Sequence, residues 1–299
     1  MHVARNHTKY HDVSSESIAG APKGEGAVAR GVELSPHNRR ALDRLMPMLG
    51  SSPTTVRTKS VAAGSGTILS VLDGRLILKK VRRRRELEFY DFVHSAGRPE
   101  WCAEIEPLLP GYYGAVELDG EVHVALEDFT WGMERPSVID FKVGTHRRRR
   151  KAWMDATLIK LKSARLYDDA GRLEVHDLRR RWFDLPPEAA EAIFLTIFRK
   201  VPASVRGETA RIAKRLRHII AAQNDIAFRD SSIMIVWEMP AKAAGEVQTR
   251  VKYADFGRIL RRGWWRRSAE VHAARTLRGF DRLFEWLARS DDSPCRADP

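Results

Sequence analysis

Apolar and polar positions change their period several times along the chain, and each change predicts an element. From Val61 to Val81 the text VAAGSGTILSVLDGRLILKKV sets two β-rich stretches on either side of Asp73-Gly74, a strong hairpin signal. Arg82 to His94 follows as a helix, with Leu87, Phe89 and Tyr90 as its apolar face behind four consecutive arginines. A loop through Pro107 and Pro110 leads to a second hairpin, Tyr113 to Leu118 and Val122 to Phe129, around Asp119-Gly120. After Pro136, Val138 to Val143 reads as a strand. The remainder reads as helix over about 146–165, 187–200, 204–222 and 269–289, with strands at Ile233 to Trp237 and Val251 to Phe256. Within it, Ile212, Leu216, Ile219 and Ile220, and then Leu277, Phe280, Phe284 and Leu287, recur at helical spacing, as core-facing stripes do.

These elements describe an α+β chain of two lobes. Residues 31–133 form a lobe built on an antiparallel sheet with one helix, and residues 134–290 a larger, mainly helical lobe around a short sheet. A polar leader (1–30) and a tail (291–299) flank them, both expected to be flexible. Within the first lobe Ser35 to Met48 predicts a short helix disturbed at Pro47. His2, His7 and His11 in the leader are irregularly spaced and joined by no carboxylate or thiol, so they read as a solvated tail.

Charge narrows the partners. Lys and Arg number 52 against 39 Asp and Glu, a net +13 that favours anionic ligands: phosphorylated metabolites, nucleic acid or acidic membrane surface. The arginine runs and 8 tryptophans suit a nucleic-acid binder, but no zinc finger, RRM or helix-turn-helix signature accompanies them, and specific nucleic-acid binding is not expected. Cys102 and Cys295 lie far apart without metal-ligand spacing, which fits a reducing compartment. No apolar run approaches the ~20 residues that cross a bilayer, and the N-terminus lacks a secretory apolar core. An intracellular protein of cytoplasm or nucleus is expected.

Asp140 and Lys142 in PSVIDFKVG alternate along a strand and share one face, with Val138, Phe141 and Val143 as apolar cover. Alone, the pair would be an ion pair at a sheet edge. Its neighbours change that reading. VKYADFGR puts Asp255 at a strand end before Phe256-Gly257, a carboxylate suited to a magnesium ion that bridges phosphates. LILKKV places Lys79 and Lys80 on opposite strand faces, so one of them can point into a cleft, and Glu86 lies in the helix that follows. A strand lysine paired with a helix glutamate is how kinases hold nucleotide phosphates. The Gly64-Ser65-Gly66 turn can cover those phosphates, and VALEDFTWGMERP occupies the place of a kinase hinge. A protein kinase also needs His-Arg-Asp with an Asn four residues on. FRDSSIMIV at Phe228 to Val236 has Arg229-Asp230 without that His or Asn, and Val175-His176-Asp177 does no better.

The segments resemble the inositol polyphosphate kinases. That family shares P-x-x-x-D-x-K-x-G, which Pro136, Asp140, Lys142 and Gly144 satisfy in full. VAAGSGT, ILK at Ile77 to Lys79, E-x-x-F-Y at Glu86 to Tyr90, PLLPGYYG at Pro107 to Gly114, LED at Leu126 to Asp128, Ser231-Ser232, DFG and the closing helix at Leu277 to Leu287 also follow its pattern, over about 60–289. The resemblance implies a two-lobed fold related to protein kinases and ATP-grasp enzymes, ATP and Mg²⁺ as cofactors, an inositol phosphate as substrate, and a monomer. It implies that Lys79 holds ATP phosphates, that Glu127 and Phe129 give backbone bonds to adenine, and that Asp255 holds magnesium. Asp140 would meet the ribose hydroxyls or sit near the reacting hydroxyl. Lys142 would meet substrate phosphate and the transferring phosphoryl group. Ser232 would lie near the metal or make a structural hydrogen bond. Between Gly144 and Phe228, where relatives grip inositol phosphates, the chain agrees only in basic, helical character. There Arg147, Arg150, Lys151 and Lys160, with Lys162 on the same candidate helix, are placed to meet several phosphates. Another small-molecule or protein-like kinase, or a basic nucleic-acid binder, is the alternative.

Overall fold

The Asp-Gly hairpin forms between β2 (Ile68–Val71) and β3 (Leu76–Lys80), which pair antiparallel with Ile68 opposite Lys79. Gly74 takes φ +91°, which a side chain would resist. The computed structural model describes residues 57–59, 68–71, 74–118, 120–145, 158–168, 170–178, 182, 185–239, 246–261 and 266–291. The leader, Ser35 to Met48, the Gly64 to Gly66 turn and the basic runs His146 to Lys151 and Arg179 to Arg181 lie outside them.

β1 (Arg57–Lys59) joins this hairpin on one side. The second hairpin, β4 (Tyr112–Leu118) and β5 (Glu121–Glu127), joins it on the other, giving one antiparallel sheet in the order β1-β2-β3-β5-β4. Between β3 and β4 run α1 (Arg84–Val93), a short α2 (Glu100–Ile105) not anticipated above, and a 3₁₀ turn at Glu106–Leu108. The four arginines at the start of α1 are exposed. Phe89 and Tyr90 are fully buried, and they pack across the lobes against Phe256 at 4.1 and 5.6 Å between ring centres, with Phe228 and Tyr253 behind.

The second sheet is larger than expected. β6 (Ser137–Val143), β7 (Ile159–Tyr167), β8 (Leu173–Asp177), β10 (Ser231–Glu238) and β11 (Gln248–Ala254) pair antiparallel in the order β11-β10-β6-β7-β8. β9 (Ile226–Ala227) and β12 (Leu260–Arg261) make a small ribbon. The expected helix over 146–165 is therefore wrong over its last third. Ile159 and Leu161 are buried while Lys160 and Lys162 are half-buried, the period-2 alternation of a strand held between two others.

Three helices cover one face of this sheet: α3 (Pro187–Arg199), α4 (Ala203–Ala222) and α5 (Arg266–Asp291). α3 starts on Pro187, whose missing N–H is no loss in a first turn, and carries Glu188 and Arg199 at the ends that suit its dipole. The apolar cover of β6 is Ile139, Phe141 and Val143, each at most 1% exposed. Phe141 packs edge-on to Phe194 and Phe198 of α3. Val138 instead shares the half-exposed cleft face with Lys142, as strand parity requires.

Gly144 closes β6 at φ +66°. A Cβ there would lie 2.4 Å from Thr276 Oγ1 and 2.7 Å from Thr276 Cα, while Gly279 one turn on lets α5 approach the Gly144 backbone. The signature glycine is thus a packing residue for α5. Gly144→Ala is expected to cost roughly 2–4 kcal/mol through backbone strain and steric overlap. Its melting temperature should fall by about 5–10 °C in a thermal melt.

Candidate active site

Strand parity settles which lysine faces the cleft. Lys80 turns outward to Glu121 (2.8 Å), whereas Lys79 Nζ reaches Glu86 Oε1 of α1 at 2.7 Å and Asp255 Oδ1 at 2.5 Å. This ammonium bridges a carboxylate of the first lobe and one of the second. Its removal from water would lower its pKa, but Asp255 and Glu86 outweigh that and hold it above the ordinary lysine range. Glu86 is 5% exposed and orients the lysine toward the cleft. Glu86→Ala should therefore leave Lys79 to collapse onto Asp255. The KM for ATP is expected to rise about tenfold, with a smaller change in kcat, in initial-rate measurements at varied ATP.

Asp255 follows β11 with φ +67°, a left-handed backbone that is rare for a non-glycine residue and clusters at functional sites. That twist turns its carboxylate into the cleft. Lys142 Nζ lies 2.9 Å from Asp255 Oδ2, and Lys162 Nζ lies 3.8 Å from the same oxygen. Burial would push this carboxyl's pKa up, yet Lys142, Lys79 and Lys162 together hold it well below the usual carboxylate range. Lys162 also pairs with Asp140 Oδ2 at 2.7 Å; burial would lower its pKa, and Asp140 and Asp255 raise it. Lys79, Lys142 and Lys162 thus meet Glu86, Asp140 and Asp255 in one cluster.

The Lys142 ammonium sits among three oxygens: Asp255 Oδ2, Ser232 Oγ at 3.1 Å and the Asp230 carbonyl at 2.7 Å. Asp230 is a second non-glycine residue with positive φ, +53°, which aims that carbonyl inward while its carboxylate pairs with Arg258. An all-oxygen set around a cation suits a hard divalent ion, and one carboxylate plus a hydroxyl leaves positions for phosphate and water, the usual state of Mg²⁺. Asp255 and Ser232 fit such an ion. Among the described residues no group of three or more His, Cys, Asp or Glu is arranged to hold a metal ion by itself, so a metal cage made wholly of protein is not offered there.

The hinge strand ends at Glu127. Its N–H goes to the Gly111 carbonyl (2.8 Å), and its carboxylate accepts from the Gly111 N–H (3.2 Å). Asp128 caps the bend by accepting from the Thr130 N–H and hydroxyl. Phe129 gives its carbonyl to Arg250 Nη1 at 3.0 Å and, among the described residues, keeps its N–H unpartnered, the group a purine edge would need.

Of the expected substrate contacts, Lys160 stands directly opposite Lys142 on β7, on a strand rather than a helix. Arg147, Arg150 and Lys151 lie outside the described residues. Lys162, expected on the same helix as a phosphate contact, stands instead on β7 and pairs with Asp140, which depends on the β7 register. One contributor escaped sequence reading: Asp230 offered only an incomplete Arg-Asp motif.

Among the described residues no helix is long and apolar enough to cross a membrane. No protein-family model matches the chain, and no curated protein matches its sequence. Solved structures do match. That of an inositol phosphate multikinase from S. cerevisiae, in complex with ADP and Mn²⁺, superimposes with a TM-score of 0.51 at 13% identity, covering 72% of this chain and 99% of that one. A structure from protein-engineering work on an inositol phosphate multikinase has a TM-score of 0.49 at 19% identity, covering 68% of this chain and 98% of that one. The first of these likenesses establishes the two-lobed α+β kinase fold.

Proposed function

We propose that the chain is an ATP- and Mg²⁺-dependent kinase that transfers the γ-phosphate to an inositol polyphosphate, working inside the cell as a monomer. The observation that carries the reading is the Asp255 carboxylate held between Lys79 of the first lobe and Lys142 of the second. Lys79, oriented by Glu86, binds the nucleotide phosphates. The Glu127–Phe129 backbone receives adenine. Lys142, on the cleft face of β6, offers its ammonium to the phosphoryl group in transit, where charge spreads over the phosphoryl oxygens and fixed cations lower the barrier most. Mg²⁺, held by Asp255 and Ser232, would neutralise charge on the phosphates. No His-Arg-Asp base is present, so the attacking hydroxyl is activated by position and by the cations around it. The neighbouring fold with ADP and Mn²⁺ supports the nucleotide and the divalent ion. Lys160 beside Lys142, with the basic run at His146 to Lys151, supports a polyanionic acceptor.

The test is ADP release at saturating ATP and Mg²⁺ with a panel of inositol phosphates, a protein substrate and RNA as separate additions. Release stimulated by one or more inositol phosphates is expected. Stimulation by the protein substrate alone, or salt-sensitive RNA binding without ATP turnover, would overturn the reading.

A further inference from the structure

Lys162 reaches the site through a break in the sheet. β6 and β7 pair with Asp140 opposite Ser163 but Phe141 opposite Leu161, so Lys162 is the extra residue of a bulge. Bulges re-aim side chains, and this one accompanies an ammonium 18% exposed and 2.7 Å from Asp140 Oδ2. Asp140 is itself only 5% exposed in its side chain, and its other oxygen, Oδ1, is buried with no hydrogen-bond partner among the described residues. A buried carboxylate oxygen without a donor is costly, so a donor from a ligand is the chemistry this site lacks.

The position of Asp140 says which donor. Val138 pairs with Val236, which pairs with Arg250, and Arg250 holds the Phe129 carbonyl, so this row of the sheet is level with the hinge. Lys142 pairs with Ser232, which pairs with Ala254 beside Asp255, so that row is level with the phosphate end. Asp140 stands midway, about 7 Å along the strand from either row. In a nucleotide spanning the two, the group at that level is the ribose, whose hydroxyls are donors.

We infer that Lys162 is a positioning residue, which clamps Asp140 Oδ2 so that Oδ1 stays fixed to accept a hydrogen bond from a ribose hydroxyl. Lys162 acts through Asp140 and makes no contact of its own with the nucleotide. The inference rests on the kinase reading only in requiring that a ribonucleotide bind here.

The experiment measures equilibrium binding of ADP and of 2′,3′-dideoxy-ADP, without metal, to the full chain. It compares wild type, Lys162→Met, Asp140→Asn and the double variant, each checked by thermal melt, with Lys162→Gln replacing Lys162→Met if the latter does not fold. Wild type should prefer ADP by roughly tenfold or more. Each single variant should lose most of that preference, and the double variant should lose no more. The inference is overturned if wild type does not distinguish the two ligands, if the preference survives in either single variant, or if Lys162→Met weakens both ligands equally. Failure of wild type to bind either nucleotide overturns it together with the kinase reading. Ribose-selective binding without turnover of any inositol phosphate sinks only the proposed substrate and leaves the role of Lys162 standing.

Discussion

Lys142→Ala is expected to lower kcat about 10³-fold while changing nucleotide affinity far less. The ammonium lies on the cleft face of β6 beside Asp255 and Ser232, where a fixed cation acts chiefly on charge that develops during transfer. Nucleotide binding depends instead on Lys79 and the hinge backbone. The variant should fold, since Asp255 keeps Lys79 at 2.5 Å and Lys162 at 3.8 Å as partners. Lys142→Arg should not restore the rate, because a planar guanidinium does not reproduce a compact ammonium among three oxygens. Initial rates and a nucleotide-binding titration on the same preparations separate the two effects. A parallel loss of binding and rate would move Lys142 out of the transfer step and into ground-state binding.

Asp255→Asn should be as damaging to activity, about 10³-fold or more, and should also change stability. The carboxylate is shared by three lysines, and without it Lys142 loses its acid partner while Lys79 and Lys162 keep Glu86 and Asp140. Removing one member of a fully buried pair costs roughly 3–5 kcal/mol. With Asp255 31% exposed, a loss of about 2 kcal/mol is expected by chemical denaturation. Metal dependence supplies the sharper readout: Mg²⁺ should tighten nucleotide binding to wild type and leave the Asn variant's affinity unchanged. A variant that still responded to Mg²⁺ would place the ion on other ligands.

Local chemistry made much of this site readable. Alternation along β3 limited the cleft lysine to one of two neighbours, and the Asp-x-Lys spacing on β6 put both side chains on one face whatever the fold. The Asp-Gly turns located the hairpins because so few residues adopt their backbone. What was not readable depended on contacts distant in sequence. β7 and β8 were mistaken for helix and connection because six successive basic or polar positions, His146 to Lys151, precede a short alternating run. Only pairing with β6 decides that Ile159 to Tyr167 is a strand. The bulge at Lys162 exists only in that pairing. Asp230 and Asp255 take positive φ although neither is glycine, and the Lys142 contacts that accompany those twists come from a strand 88 and 113 residues away in sequence. Gly144 stood out as a motif glycine, but its reason, the approach of α5 through Thr276 and Gly279, could not be seen without the helix in place.

The central claim is a transfer of phosphate from ATP to an inositol phosphate, and it is tested most directly by following the label from γ-labelled ATP. Wild-type protein, Mg²⁺ and a panel of inositol phosphates would be incubated and the products resolved by anion-exchange chromatography. The label should appear in an inositol phosphate carrying one phosphate more than the acceptor, and should be lost with Lys142→Ala. Label found only in inorganic phosphate or in protein, with every inositol phosphate unchanged, would contradict the account.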